Sequence, residues 1–452
     1  MTQLDEAVTR YHKILHSDPH KDLAWAEPLR ERMATEHLTV GNRLICPFLR
    51  PHFVTRRQFN SLVKATESLL SAIDRVKQVA LATPALLARM ELLPAEKMLA
   101  SIDPGYPCLA VNSLLDTQLD NGSLHFVSAS ADNPTGVAYG EALADLFYDC
   151  PPMKEFRRRY ALTKLGGKKH LVKALIKAYK QFGGQGTPKI AILELRPAYQ
   201  SAEESEYVLL RNYLISEGYP TEIVTPEQLE YRGGVLRRGN FAIDLVCRRV
   251  GVHAFLLRFD LSHPLVRAYK DRAVCVVNSF RSELAHKRAL FDLLTDDTVT
   301  AGFPAEERRV IREYIPWTRV VAAGKTTYHD QTIDLPEFIV KNRERLVLKP
   351  NDESVEQHSF RGWENTDAAW GKAVNAAMRS PYVVQEKVEP AQSIFPILTY
   401  GQLEMREMRV EVHPHAFLGK VQACSSWLSS VSGGGFSTIG GIAPTFIIEN
   451  TK

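Results

Sequence analysis

Between Lys189 and Val224 the chain runs KIAILEL and then, after a few polar residues, EESEYVLLRNYLISEGYPTEIV. KIAILEL is a continuous apolar run of strand length, the pattern of a parallel strand buried on both faces, and the second segment supplies a helix, a turn and another strand. That is a βαβ unit. With FAIDLVCRR and AVCVVNSF as further strands, residues 187–280 form a Rossmann-like layer, entered through the linker GGQGTP.

What flanks this layer follows other periods. Residues 1–100 are largely helical; from Asn60 to Leu81 the positions Leu62, Val63, Leu69, Leu70, Ile73, Val76 and Val79 recur at helical spacing with charges between them. Within 101–186, CLAVNSLLD and SLHFVSASAD are short apolar runs separated by DNG, a hairpin signal, and GEALADLF and HLVKALIKAYKQF are helices. Residues 281–452 alternate: SELAHKRALFDLLTDD helix, RLVLKP strand, TDAAWGKAVNAAM helix, PYVVQEKV strand, and MRVEVHPHAFLGKVQACSSWL a hairpin.

A chain of 452 residues is long enough for two or three cores, and 45% hydrophobic with 24% charged residues is ordinary globular composition. No apolar run approaches the ~18 residues of a membrane span. The N-terminus MTQLDEAVTRYHKILHSDPH has neither a signal peptide's apolar centre nor a transit peptide's lack of acids, so the expected location is cytoplasmic. The six cysteines, Cys46, Cys108, Cys150, Cys247, Cys275 and Cys424, are scattered singly, as expected of reduced thiols. Net charge is +4 and the basic clusters are short and interrupted, which argues against a nucleic-acid groove.

Three local patterns fail as sites. AAGKTT, Ala322–Thr327, has Arg319 where a phosphate loop needs its first glycine, so a turn is expected. SGGGFSTIGG, Ser432–Gly441, misses the GxGxxG spacing at Thr438 and reads as a loop. Ser123, His125 and Asp132 are close in sequence, but no GxSxG elbow accompanies them.

Lys349 ends the apolar strand RLVLKP, where a sheet can hold an ammonium against a phosphate. Some thirty-five residues on, PYVVQEKV ends in Gln385, Glu386 and Lys387, able to offer backbone groups and a carboxylate to an adenine or a ribose. Lys287 lies on the helix SELAHKRALF, expected at an edge of the same cleft. Two lysines beside an acidic strand make a nucleotide cleft.

RPHFVTRRQF, EYRGGVLRRGNFAIDLVCRRV, AVCVVNSFRSELAHKRALFDLLTDD, IPWTRVV, RERLVLKPNDE and PYVVQEKV, in this order, resemble the circularly permuted ATP-grasp proteins of the glutathionylspermidine synthase-like group, from about Gly41 to the C-terminus. The resemblance implies an α/β fold: an ATP-grasp-like clamp of two α+β subdomains (281–452), a Rossmann-like pre-ATP-grasp layer (187–280), the family's metal and catalytic strands (101–186) and a helical N-terminal region (1–100). It implies an ATP-dependent carboxylate–amine ligase that forms an amide through an acyl phosphate, with small-molecule or peptide carboxylate and amine substrates. Carried over by position, Lys287 and Lys349 hold phosphates, Gln385 and Glu386 form the adenine hinge of the ATP site, and Asp116 binds Mg2+.

The sequence departs from the family at several of these places. Ser354, Val355, Glu356 and His358 stand for a tyrosine and three glycines, giving a loop with fewer φ > 0 options to fold over a triphosphate. The family's Arg-x-Asp and Glu-x-Asn strands read Leu114-Leu115-Asp116 and Ser128-Ala129-Ser130, and Glu411 and His413 replace a pair of aspartates. Loss of one such electrostatic group costs about a hundred- to a thousand-fold in rate. Two readings therefore stand beside each other: a weakened ligase, and a catalytically inactive pseudoenzyme that binds nucleotide or a protein partner.

Overall fold

The computed structural model describes residues 2–41, 43–120, 122–196, 205–352, 358–431 and 440–449. The βαβ segment forms a four-stranded, all-parallel sheet in the order Cys275–Val277, Leu245–Arg248, Ile190–Leu193, Thr221–Val224. All four residues of Ile190–Leu193 are buried, as a doubly covered strand requires. Helices Ser205–Ser216 and Lys168–Phe182 cover one face.

The long helix runs Arg56–Ala82. Thr55 starts it with a capping box: its Oγ1 accepts from the Gln58 N–H at 3.2 Å and its own N–H donates to Gln58 Oε1 at 2.9 Å. Leu62, Leu69, Ile73 and Val76 are buried, and Val63, Leu70 and Val79 pack at the margin of the same core.

The DNG hairpin is present as strands Asn112–Asp120 and Ser123–Ser130. It is the outer pair of a larger sheet whose other members are Gln402–Phe417, Lys420–Ser430 and Gly440–Ala443, with Gln392–Thr399 pairing on Gln402–Phe417. Strands nearly three hundred residues apart in sequence thus share one sheet; Val412 pairs with Thr117. The last strand, Thr445–Ile448, lies parallel to His52–Thr55. At Gly441 a Cβ would fall 2.2 Å from the Ile45 carbonyl oxygen, so this close approach admits only glycine. Ser432–Ile439, most of the glycine-rich run, and Glu353–Gln357, the start of the altered loop, lie outside the described residues.

A second, four-stranded antiparallel sheet has the order Thr318–Val320, Tyr382–Glu386, Leu346–Pro350, Phe360–Arg361. Helices Leu335–Lys341 and Asp367–Ala377 pack on one of its faces through Ile339, Trp370 and Val374. AAGKTT leads into a hairpin, Lys325–Tyr328 with Gln331–Asp334, and so is no phosphate loop.

One expected helix is broken. SELAHKRALFDLLTDD forms a 3-10 segment, Phe280–Ala285, and a short α-helix, Ala289–Leu294. The Arg288 N–H donates to the Asn351 carbonyl at 3.0 Å and the Ala289 N–H to Asn351 Oδ1 at 2.8 Å. Asn351 captures donors that a continuous helix would spend internally, freeing His286 and Lys287 to turn inward.

All six cysteines are free, and among the described residues no helix is long and apolar enough to cross a membrane.

Candidate functional site

Alternation along the strands of the second sheet divides its side chains between two faces. Leu346, Leu348, Tyr382 and Val384 enter the helix-packed core, so Lys349 and Gln385 project from the opposite face. There the Lys349 ammonium donates to Gln385 Oε1 at 2.8 Å. Gln385 Nε2 donates to Thr318 Oγ1 at 3.0 Å and reaches the Val127 carbonyl at 3.4 Å, which joins this face to the hairpin of the larger sheet.

Across from Lys349 stands Glu411. The His413 imidazole beside it holds its carboxyl below the usual range against the opposing effect of burial, with the charge of Lys349 and the amide of Gln118 adding to the shift. Gln118 Nε2 donates to Glu411 Oε1 at 3.2 Å. His413 lies between two acids, with Nε2 3.3 Å from Asp116 Oδ1 and 3.7 Å from Glu411 Oε2, and its ring stacks on Trp427 at 5.8 Å.

Asp116, expected to bind Mg2+, lies beside His413. Its other oxygen, Oδ2, accepts a hydrogen bond from Ser128 Oγ. Magnesium demands an octahedron of oxygens, most often with one or two carboxylates among them. Here both oxygens of Asp116 are engaged and an imidazole separates it from Glu411, so the donor set does not fit a two-ion magnesium centre. Asp132 does not join it either; it is buried on Arg248 and accepts from the Val252 N–H at 2.7 Å, which also removes it from any arrangement with Ser123 and His125.

Lys287 is not at an edge. It is buried, with Nζ 2.5 Å from Asp352, 2.8 Å from Glu283 and 3.0 Å from Glu96. The expectation of an open phosphate lysine is corrected by the break in its helix, which turns the side chain inward among acids. Glu96, His253 and Asp352 are the one group of three metal-type donors close together among the described residues, and the Lys287 ammonium already lies against two of them. Burial lowers the affinity of Lys287 for its proton, but the three carboxylates outweigh that and raise its pKa. Beside it, burial likewise opposes the charge on His286, yet the Asp352 carboxylate and the charges of Asp132 and Glu283 bring its pKa up to about 9. Burial, reinforced by Asp132, pushes Glu283 up to about 7. The cluster neutralises itself and joins helix Pro94–Ser101 to the end of strand Leu346–Pro350.

Glu386 points away from Gln385. Its carboxylate accepts from the Tyr328 hydroxyl at 2.6 Å, the Trp317 N–H at 3.3 Å and, at 3.1 Å, His329 Nε2. It lines a cleft of about 720 Å³ with Trp317, Arg319, His125 and the backbone that continues through Lys387 to Glu389. Lys349, Gln385 and Asp116 are not in that lining. The five expected residues therefore fall into three places: Lys349, Gln385 and Asp116 on or beside the space between the sheets, Glu386 at the strand's end, and Lys287 inside an ionic core. Strand alternation in PYVVQEKV already carried the divergence of Gln385 from Glu386; nothing local pointed to the Glu96 and Asp352 partners of Lys287.

No family model matches the chain, and no curated protein matches it. Among solved structures it is similar to a glutathione synthetase-like effector from Globodera pallida in its apo form, at 14% identity over 96% of this chain and 98% of that one, with a TM-score of 0.62. It is also matched, at 11% identity over 85% and 86% of the two chains and a TM-score of 0.44, by a candidate gamma-glutamylcysteine synthetase from Methylobacillus flagellatus KT. The likeness to the effector spans both chains almost completely and shows a shared fold, a mixed α/β chain of helices and several sheets.

Proposed function

We propose that this chain is an ATP-grasp-type ligase of circularly permuted order, which binds ATP between the two sheets and joins a carboxylate to an amine. The observation that carries this reading is Lys349, held by Gln385 on the sheet face that looks towards Glu411. A lysine so placed, partly buried near the end of its strand, can present a point charge to a phosphate. The incorporation of the early hairpin, with Asp116, into the sheet built by Gln402–Ser430 supports the permuted order.

In this reading a substrate carboxylate oxygen attacks the terminal phosphorus of ATP, ADP leaves, and an acyl phosphate forms; the amine then attacks the acyl carbon and phosphate departs. Lys349 balances charge on the phosphates, Gln385 fixes the lysine, and the segment Glu386–Glu389 with Trp317 receives the base. Lys287 contributes to the shape of the fold around this space and not directly to phosphate. The substrates are small molecules or peptides in the cytoplasm, and the division at residues 100, 186 and 280 marks the working parts.

A second reading has its own observation. The Asp116–His413 contact and the Ser128 hydrogen bond place non-metal partners on the acid that would hold magnesium, which favours a pseudoenzyme that binds nucleotide or a protein without turnover. ADP release by the purified chain, followed with a pool of amine and peptide acceptors, tests the first reading; its absence with every acceptor rejects it. Calorimetric titration with ATP with and without magnesium tests the second, which strong magnesium-dependent binding rejects.

A further inference from the structure

Arg50 is fully buried, and among the described residues no carboxylate lies within ion-pair distance of it. Its guanidinium donates from Nη1 to the Pro51 carbonyl at 3.0 Å and from Nη2 to Ser393 Oγ at 3.0 Å and the Ile394 carbonyl at 2.9 Å. It also stacks 3.8 Å from the centre of the Phe395 ring. Every one of these partners is neutral. Of the five N–H groups of a guanidinium three are used, and Nε has no partner at all. Burial pulls the group down to about 9, the mark of a charge held without a counter-ion.

Arg50 is among the residues that line a cavity of about 300 Å³ between helix Gln3–Leu15 and strand Gln392–Thr399. His12, whose Nε2 is also buried without a partner, and Gln58 line it as well. Asp5 and Asp120 belong to the same lining but are more exposed than Arg50. Asp5 caps its own helix, accepting from the Thr2 N–H at 2.9 Å. Val410 faces the cavity while its strand neighbour Glu411 faces Lys349, so this space lies behind the larger sheet, separate from the nucleotide cleft.

We infer that this cavity is a binding site for a small carboxylate, whose single negative charge compensates Arg50. The polarity of the lining favours a ligand with a cationic end directed towards Asp5 and Asp120, as in a zwitterionic amino acid. A dianion such as phosphate is disfavoured because one guanidinium would offset only half its charge and two carboxylates line the same space. The volume is at the small end of ligand pockets and suits a molecule of that size.

The test is calorimetric titration of the full chain with sodium acetate, L-alanine and inorganic phosphate, repeated on Arg50→Gln and Thr9→Trp. Thr9 is an exposed residue of the lining, so its replacement blocks the space without altering Arg50. Saturable binding of acetate at one site per chain, tighter for L-alanine and weakened about tenfold or more in both variants, supports the inference. No saturable carboxylate binding, phosphate binding as tight as the carboxylates, or binding unchanged in Thr9→Trp overturns it. If Arg50→Gln does not fold, Thr9→Trp decides alone. Neither result depends on ADP release, so this site and the ligase reading fail separately.

Discussion

The Lys287 ammonium is fixed 2.5 Å from Asp352, a residue from the end of the strand that carries Lys349, so of two lysines expected to serve one ligand, one is spent inside the protein. Removing one member of a buried ionic group strands the others. Lys287→Met is expected to lower stability by about 3–5 kcal/mol, read from the urea midpoint at constant m. A variant with normal stability and lost ATP binding would restore the phosphate role instead.

The same cluster makes stability depend on pH. His286 has an ordinary value near 6.5 in the unfolded chain and about 9 in the fold, so between these values the native state holds more protons. Its contribution is complete below pH 6.5 and is lost as pH rises towards 9, at most about 3 kcal/mol. Glu283, raised from 4.5 to about 7, has the same sign over a lower window. Urea unfolding at several pH values should show wild-type stability falling from pH 6.5 to 9 and a flatter profile for His286→Gln.

Lys349→Met should behave in the opposite way to Lys287→Met. Its side chain is only partly buried, so stability should change by about 1 kcal/mol or less, while ATP binding weakens about tenfold or more. Calorimetry and urea unfolding on the same preparation separate the two lysines.

His413→Asp replaces the imidazole between Asp116 and Glu411 with a third carboxylate. Magnesium at millimolar concentration should then raise the thermal midpoint of the variant by a few degrees, about 1 kcal/mol of linkage, and leave the wild-type chain unmoved. An equal shift in both would show that the wild-type site already holds the ion.

The parts of this fold that were legible in the sequence are those whose cause is local. The helical spacing of Leu62 to Val79 announces the long helix, the strands on either side of DNG pair as a hairpin, and Ile190–Leu193 is buried on both sides as its composition requires. Lys349 sits on a strand because RLVLKP is one. The placement of Lys287 was not legible, because its partners Glu96 and Asp352 are 191 and 65 residues away and the helix that seemed to carry it is interrupted by Asn351. Only Glu283, four residues before it, was a visible hint. Arg50 gave no local sign either: what distinguishes it is that, among the described residues, no carboxylate lies within ion-pair distance, which no spacing encodes.

The pairing of Val412 with Thr117 and of Phe446 with Phe53 sets a schedule for synthesis. Strands emerging early from the ribosome find their neighbours only when the last tenth of the chain has been made, a delay on the order of tens of seconds at ordinary translation speeds. Until then the hairpin at 112–130 presents one unpaired edge, and helix Arg56–Ala82 lacks part of the surface it will cover. A premature stop codon anywhere before the closing strands should therefore produce an aggregating fragment, not a shorter working protein.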